Sequence, residues 1–358
     1  MSAALAPDDI VATHAEAAAN EREPLLVLEP LRTFLRDNGL DAPDDLSGLP
    51  IGEGHSNVTF GLSTGVVLRR PPRGPLPPSA HNVLREARLL SALEPTAVRT
   101  PRVLAVCDDL EVIGAPFYLM ERIVGTVITD AVPPPLDTPD QRGQIADELI
   151  DSLVELHSTD WTTLGLEGFG KPTGYLQRQL RRFNGLWEIN RTRDIAELNA
   201  VEKWLAETMP ASPPATIVHG DYRLGNTMFA QAPPPRLTAI LDWEMATIGD
   251  PLADIGYLMI HWVQAADTRS RFVMHTVTDQ PGFPTRQEMV ARYEQRSGRS
   301  VQALDWYVTL AMWKAAVFME GNYKRAVMGT TDDPWLKSFG EGVVELAQRA
   351  LDVTRNGF

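Results

Sequence analysis

The chain has 358 residues, of which 44% are hydrophobic and 22% charged, and its net charge is −14. This length predicts about two domains or lobes of an ordinary globular protein. The acidic balance argues against nucleic acid as a partner, because binding phosphates requires a basic surface. No apolar stretch reaches the roughly 18 residues that a membrane-spanning helix needs. The single cysteine, Cys107, excludes an internal disulfide, and with an N-terminus unlike a signal peptide it predicts a cytoplasmic protein.

The first third of the chain predicts a small β-rich lobe behind a leader. Residues 1–23 are rich in alanine and acids without a sustained apolar stripe, which predicts a mobile leader. Alternating apolar residues indicate strands. The many prolines of residues 71–78 indicate an irregular loop. The predicted elements are a helix at 25–38, a hairpin at 61–69, a helix at 82–93 and strands at 103–106 and 117–120.

Beyond the three consecutive prolines at 133–135 the pattern becomes mainly helical. Apolar residues recur there at helical spacing, which predicts a larger α-rich lobe. The predicted helices are 141–157, 175–188, 195–207, 251–263, 286–294, 303–326 and 335–353. We therefore divide the chain into the leader (1–23), an N-terminal nucleotide-binding lobe (24–122) and a C-terminal catalytic and substrate-binding lobe (123–358).

The most informative segment is a polar loop between two apolar runs in the predicted helical lobe. His219, Asp221 and Asn226 follow one run, and Asp242 ends another sixteen residues after Asn226. Phosphoryl transfer from ATP needs a carboxylate that deprotonates a hydroxyl, together with a carboxamide oxygen and a second carboxylate that hold Mg²⁺. Taken alone, the loop is also typical of a turn with a capping aspartate.

Residues upstream add a possible nucleotide side. Glycines 52 and 54 would let the backbone approach phosphates, and Ser56 or Asn57 could donate hydrogen bonds to them. Arg69 ends a predicted strand and Glu86 lies 17 residues later on a helix, an arrangement in which a carboxylate positions a phosphate-binding cation. Two alternatives without a role in nucleotide binding remain open. The glycines could form an ordinary turn, and Glu86 could pair with a neighbouring arginine of its own helix.

The segment that joins the two lobes is expected near residues 117–123. There, backbone groups near Glu121 and Ile123 would contact adenine, and Met120 would pack against its ring.

Together these residues resemble the aminoglycoside phosphotransferase family, which are small-molecule kinases with a bilobal, α+β, protein-kinase-like fold. The resemblance covers residues from about 50 onward. The matching segments are Gly54-His55-Ser56-Asn57, Val67-Leu68-Arg69, Arg85-Glu86, His219-Gly220-Asp221 with Asn226, Ile240-Leu241-Asp242-Trp243-Glu244 and Gly249-Asp250-Pro251-Leu252-Ala253-Asp254.

The resemblance implies a role for each matching position. It makes Asp221 the catalytic base and Asn226 and Asp242 the Mg²⁺ ligands. Arg69 would contact a phosphate of ATP, and Glu86 would position it. Supporting roles are implied for His219 and Asp254, and Arg223 could reach the γ-phosphate or simply be solvated.

The acceptor is less constrained than the reaction. The segments around Arg69, Glu86 and the helix at 175–188 look closest to the kinase-like domain associated with acyl-CoA dehydrogenases, which implies a hydroxyacyl-CoA. Arg178, Arg181 and Arg182 could then face CoA phosphates, or lie on a helix surface. The alternatives are an aminoglycoside or another cationic antibiotic, which the acidic balance favours, and a non-catalytic nucleotide-binding scaffold. The sequence does not indicate an oligomeric state.

Overall fold

The computed structural model describes residues 6, 8–52, 57–74, 82–267, 276–330 and 334–358. The chain divides into a small unit of residues 1–96 and 100–124, and a large unit of residues 97–99 and 125–358. The chain passes from one unit to the other after Val124, two residues beyond the expected lobe boundary. Residues 97–99 join the large unit because Arg99 forms ion pairs with Glu148 and Glu155, at 2.5 and 2.8 Å.

The small unit contains an antiparallel sheet and four helices among its described residues. Its elements are β1 (Ile10–Val11), α1 (His14–Ala19), β2 (Leu26–Val27), α2 (Leu28–Asp37), β3 (Gly48–Pro50), β4 (Val58–Leu62), β5 (Val66–Arg70), α3 (Val83–Leu93), β6 (Val103–Cys107), α4 (Leu110–Ile113) and β7 (Phe117–Glu121).

Five of these strands form one sheet, in the order β3-β4-β5-β7-β6, and every neighbouring pair is antiparallel. The register places Phe60 opposite Leu68, and Leu68 opposite Leu119, on one buried row. Leu31 and Leu35 of α2 belong to the same hydrophobic cluster. The alternation of side chains along each strand thus gives the sheet one apolar face, which α2 covers.

The described residues 8–23 of the expected leader pack against other parts of the small unit. β1 pairs with β2 in parallel, and Val11 is buried. The carboxylate of Asp9 is bound by Arg22 at 2.7 Å and by Arg73 at 2.5 Å. A two-residue strand is too short to show periodicity, and its main partners lie far away in sequence, so the pattern alone could not predict this packing.

The large unit is mainly helical. Its elements are β8 (Thr126–Val127), α5 (Pro139–Ser158), α6 (Tyr175–Asn190), α7 (Ala196–Glu207), β9 (Thr216–Val218), β10 (Thr227–Phe229), β11 (Leu237–Ile240), β12 (Thr247–Gly249), α8 (Leu252–His261), α9 (Arg286–Ser297), α10 (Leu304–Val327) and α11 (Pro334–Asn356). No described helix is long and apolar enough to cross a membrane.

Two small sheets in the large unit hold the polar loop of the sequence analysis. β9 pairs with β12, and β10 pairs with β11 and β8, all antiparallel. The helices around them are specified locally: α5 is capped by Thr138 with Pro139 in its first turn, and α9 by a capping box of Thr285 and Glu288. α10 is buried on several faces and packs against α8 and α11. This scaffold fixes the positions at which β9, β11 and α8 begin and end.

Candidate active site

The loop between β9 and β10 is anchored by Asp254, which lies in the first turn of α8. Its carboxylate accepts hydrogen bonds from the backbone N–H groups of His219 and Gly220, at 2.7 and 2.8 Å. A third donor is the Nε2–H of His157, at 3.2 Å. Asp254 is fully buried. A buried carboxylate is stable only when its oxygens are satisfied, and here three donors share that task.

His157 is neutral in this arrangement. Burial, its largest perturbation, lowers the pKa of the imidazole in spite of the nearby Asp254 carboxylate. The ring then carries one proton, which Nε2 donates to Asp254, while Nδ1 accepts from the Tyr293 hydroxyl at 2.8 Å. His157 therefore orients Asp254 without neutralising its charge.

His219 connects the loop to the end of β11. Its Nδ1 accepts from the backbone N–H of Asp221 at 3.2 Å, and its Nε2–H donates to the carbonyl of Leu241 at 2.9 Å. The ring also lies 4.7 Å from that of Trp243. His219 thus bonds backbone groups on both sides of the site.

Gly220 permits the sharp turn before Asp221. Its φ is +85°, and a Cβ atom at this position would lie 2.9 Å from the carbonyl oxygen of Met245. A side chain would both strain the backbone and collide with the neighbouring segment.

Asp221 and Asn226 are brought together by the 3₁₀ turn at Leu224–Asn226. The Nδ2 group of Asn226 donates to the Asp221 carbonyl at 2.8 Å and to its Oδ2 at 2.6 Å. Both acceptors are oxygens, so the orientation of the amide is unambiguous. The carboxamide oxygen of Asn226 accepts no hydrogen bond within the described part of the chain, which leaves it available to a ligand.

Asp242 is placed beside Asn226 by the pairing of β10 with β11. Thr227 lies opposite Ile240, and the N–H of Leu241 donates to the carbonyl of Asn226 at 2.8 Å. Asp242 follows directly with φ +64° and ψ +63°, and among the described residues no other non-glycine residue has a positive φ. Such strain persists only where the surroundings enforce it, and it is concentrated at functional sites.

The oxygens of Asn226 and Asp242 fit the Mg²⁺ ion that the resemblance implies. Mg²⁺ prefers oxygen ligands and is usually bound through one or two protein side chains, phosphate oxygens and water. The described residues contain no group of three or more His, Cys, Asp or Glu side chains that could hold a metal ion. Asn226 and Asp242 are the protein residues that would hold such an ion.

Arg223 lies at the edge of the loop. Its Nε is 3.7 Å from Oδ1 of Asp221, and its side chain is 38% exposed. The guanidinium therefore contributes positive charge beside the carboxylate without a hydrogen bond to it.

Two residues of α8 belong to this site although sequence reasoning missed them. Tyr257 lies near the Asp221 carboxylate, and burial, followed by the negative charge of Asp221, raises the pKa of the phenol well above its ordinary value. The ring of His261 lies 4.4 Å from that of Tyr257, and burial lowers the pKa of the imidazole to about 4. Both follow Asp254 at helical spacing, three and seven residues on, a signal that could have indicated them.

The small unit contains the expected ion pair between strand and helix. Nε of Arg69 lies 2.9 Å from Oε2 of Glu86, and Nη1 donates to Thr59 Oγ1 at 3.3 Å. Glu86 is buried on α3, with 3% of its surface exposed. Asn57 is also buried, whereas Ser56 lies outside the described residues.

The segment predicted to contact adenine lies at the end of β7. Met120 pairs with Val67 in the sheet, and Ile123 is half-buried. The N–H of Glu121 donates to the carbonyl of Arg102 at 3.0 Å, and its carboxylate accepts from the Arg102 N–H at 3.0 Å. The backbone N–H of Glu121 is therefore engaged within the sheet.

Comparisons with known proteins identify a family and several relatives of this chain. The sequence profile of the phosphotransferase enzyme family matches residues 47–289. Acyl-CoA dehydrogenase family member 11 of Gallus gallus is 32% identical over 318 residues, which are 87% of this chain and 40% of that protein. The chain spans less than half the length of the curated relatives it matches.

Solved structures of phosphotransferases are also similar to this chain. A protein of Ralstonia eutropha, provisionally assigned as an aminoglycoside phosphotransferase, is 31% identical with a TM-score of 0.78, over 90% of this chain and 97% of that one. Aminoglycoside phosphotransferase APH(4)-Ia, in complex with AMP-PNP and hygromycin B, is 16% identical with a TM-score of 0.59, over 92% of this chain and 99% of that one. The second likeness concerns the fold alone. The expected protein-kinase-like fold is confirmed.

Proposed function

We propose that this chain, which belongs to the phosphotransferase enzyme family, transfers the γ-phosphoryl group of ATP to a hydroxyl of a small molecule, and that this acceptor is a hydroxyacyl-CoA. The observation that carries the proposal is the loop that joins the Asp221 carboxylate to the Asn226 amide at 2.6 Å. The strand register brings Asp242 beside them. One base and two oxygen donors for a metal are what this reaction requires.

In the proposed reaction Asp221 accepts the proton of the acceptor hydroxyl. The hydroxyl oxygen forms a bond to the γ-phosphorus while the bond between that phosphorus and the bridging oxygen of ADP breaks. Asn226 holds the carboxylate of Asp221 in one orientation through its hydrogen bond to Oδ2. Mg²⁺, bound by Asn226 Oδ1 and Asp242, would neutralise charge on the phosphates.

The positive charge of Arg69 is proposed to bind a phosphate of ATP. The buried carboxylate of Glu86 fixes the orientation of the guanidinium through its contact with Nε. Nucleotide-bound relatives of the same fold support nucleotide binding.

The choice of a hydroxyacyl-CoA is supported by curated relatives of this chain that carry the name acyl-CoA dehydrogenase. The aminoglycoside alternative is supported by the 31% identity with the Ralstonia protein and by the net charge of −14, which would attract a cation. The two acceptors differ in charge, so one assay separates them.

The test is mass spectrometry of candidate acceptors after incubation with ATP, Mg²⁺ and the enzyme. Hydroxyacyl-CoA thioesters, their acyl-CoA counterparts without the hydroxyl, and aminoglycosides are compared. We expect a mass increase of one phosphoryl group only on the hydroxyacyl-CoA, and none with Asp221→Asn. Phosphorylation of an aminoglycoside alone would overturn the proposed acceptor. Nucleotide binding without any transfer would favour a scaffold.

A further inference from the structure

The large unit carries two cations that share one aromatic ring. The ammonium of Lys314, on α10, lies 4.8 Å from the centroid of the Phe183 ring, and the guanidinium of Arg182, on α6, lies 6.0 Å from it. Phe183 is itself buried and packs against Trp313 and Phe318, at 6.2 and 5.1 Å. The ring is therefore fixed, and it holds both charges in one place.

Neither cation has an anionic partner in the part of the chain that the structure describes. Lys314 is half-buried and Arg182 is exposed, and neither forms a hydrogen bond or an ion pair there. A cation–π contact offsets only part of the cost of desolvating an ammonium. Two like charges beside one ring add repulsion to that cost.

The electrostatics of Lys314 follow from this placement. Burial, and after it the charge of Arg182, lower the pKa of the ammonium to about 8, and the carboxylate of Asp254 opposes that change only in part. Asp254 already accepts three hydrogen bonds from the catalytic loop and from His157. α10, which carries Lys314, packs against α6 and also against α8, the helix that carries Asp254.

We propose that Lys314, Arg182 and the ring of Phe183 form a binding site for an anionic group of the acceptor, and that this group is a phosphate of the CoA moiety. The inference rests on the proposed function, because it assigns a site to the acceptor named there. A phosphate would serve as an anionic partner for both cations, and the guanidinium of Arg182 could bind two of its oxygens.

The experiment is calorimetric titration of the full chain with CoA, and separately with pantetheine, which lacks the nucleotide phosphates. We expect Lys314→Met and Arg182→Gln each to weaken CoA binding about tenfold or more, as the loss of a charge-assisted hydrogen bond would. Pantetheine binding should not change. The matched controls are Arg181→Gln, which removes the neighbouring exposed charge of the same helix, and Lys203→Met, which removes an exposed lysine.

Two results would overturn the site: CoA binding that is as tight in both variants as in the controls, or a wild-type protein that does not bind CoA. The proposed function is tested independently by phosphoryl transfer to hydroxyacyl-CoA. If transfer occurs but the KM for the acceptor is the same in Lys314→Met and in Lys203→Met, the site is wrong and the function stands. If CoA binding depends on both cations but no transfer occurs, the site stands and the function is wrong.

Discussion

The catalytic loop of the large unit and the ion pair of the small unit are held in different ways. Asp254 and His219 fix the loop that carries Asp221 through four hydrogen bonds to backbone groups. Arg69, in contrast, is held by contacts with the side chains of Glu86 and Thr59. The backbone of the loop is thus held by hydrogen bonds, whereas the geometry of the ion pair depends on the rotamers of two side chains. Substitutions should therefore affect folding and turnover in the first region and mainly nucleotide affinity in the second.

The largest expected effect is that of Asp221→Asn. Asparagine keeps the shape of the side chain but cannot accept the hydroxyl proton, so kcat should fall about 10²–10⁴-fold, the usual contribution of a positioned general base. The affinity for ATP, measured by equilibrium titration, should remain close to that of the wild type. A kcat within threefold of the wild type would remove Asp221 from the role of base.

Asp254→Asn should damage the fold of the large unit as well as its activity. An asparagine offers one acceptor oxygen, and its NH₂ group would face N–H donors that are buried. We expect a loss of about 2–4 kcal/mol in the free energy of unfolding, measured by denaturant titration. Asp352→Asn, on the exposed side of α11, is the control and should change stability by less than about 0.5 kcal/mol. Equal effects of the two substitutions would contradict the anchoring role of Asp254.

Glu86→Gln should act mainly on nucleotide binding. The neutral amide would hold the Arg69 guanidinium less firmly, so the KM for ATP should rise about tenfold, with a smaller change in kcat. The control is Glu94→Gln at the exposed C-terminal end of the same helix. Initial rates over a range of ATP concentrations distinguish the two parameters, and an unchanged KM would show that Glu86 has no part in binding ATP.

The smallest effect concerns pH. The folded-state pKa of Lys314 is about 8, below the ordinary lysine value of 10.5. Its charge is therefore lost as pH rises through 8. The KM for a CoA acceptor should rise between pH 7 and pH 9.5, and Lys314→Met should abolish most of that rise.

The same shift has a consequence for stability. Between pH 8 and 10.5 the unfolded chain binds more protons at this lysine than the folded chain does, so its contribution to the free energy of unfolding rises with pH. Lys314→Met removes the charge at all pH values and should raise the Tm at pH 7 by roughly 1–3 °C. A lower Tm in thermal unfolding would contradict the account of an unpaired charge.

Much of this architecture could be predicted from the sequence, for identifiable reasons. Long helices such as α10 show a sustained apolar pattern, and the residues 219–226 carry three polar groups at informative spacing. The short strands β1 and β2 lack such a pattern. The contact of His157 with Asp254 joins residues 97 positions apart, which no local signal indicates. Tyr257 lies in an apolar helix, where only its helical spacing from Asp254 could have indicated that it lies near Asp221.

The same limit applies to the proposed anion site. Arg182 was recognisable as a candidate for binding CoA phosphates, but so were its neighbours Arg178 and Arg181. Only the packing of α6 against α10 brings Lys314 to the same ring and distinguishes Arg182 from the other two. Sequence patterns indicate which side chains face a core. The packing of two helices determines which charged side chains lie close together.

The central claim is that the loop separates a base, Asp221, from a metal-binding pair, Asn226 and Asp242. The most direct measurement is the affinity for AMP-PNP as a function of Mg²⁺ concentration, in the wild type, Asp221→Asn and Asp242→Asn. The account predicts that Asp242→Asn weakens Mg²⁺-dependent binding about tenfold or more, while Asp221→Asn leaves it within about twofold. Equal Mg²⁺ dependence in the wild type and in Asp242→Asn would contradict the account.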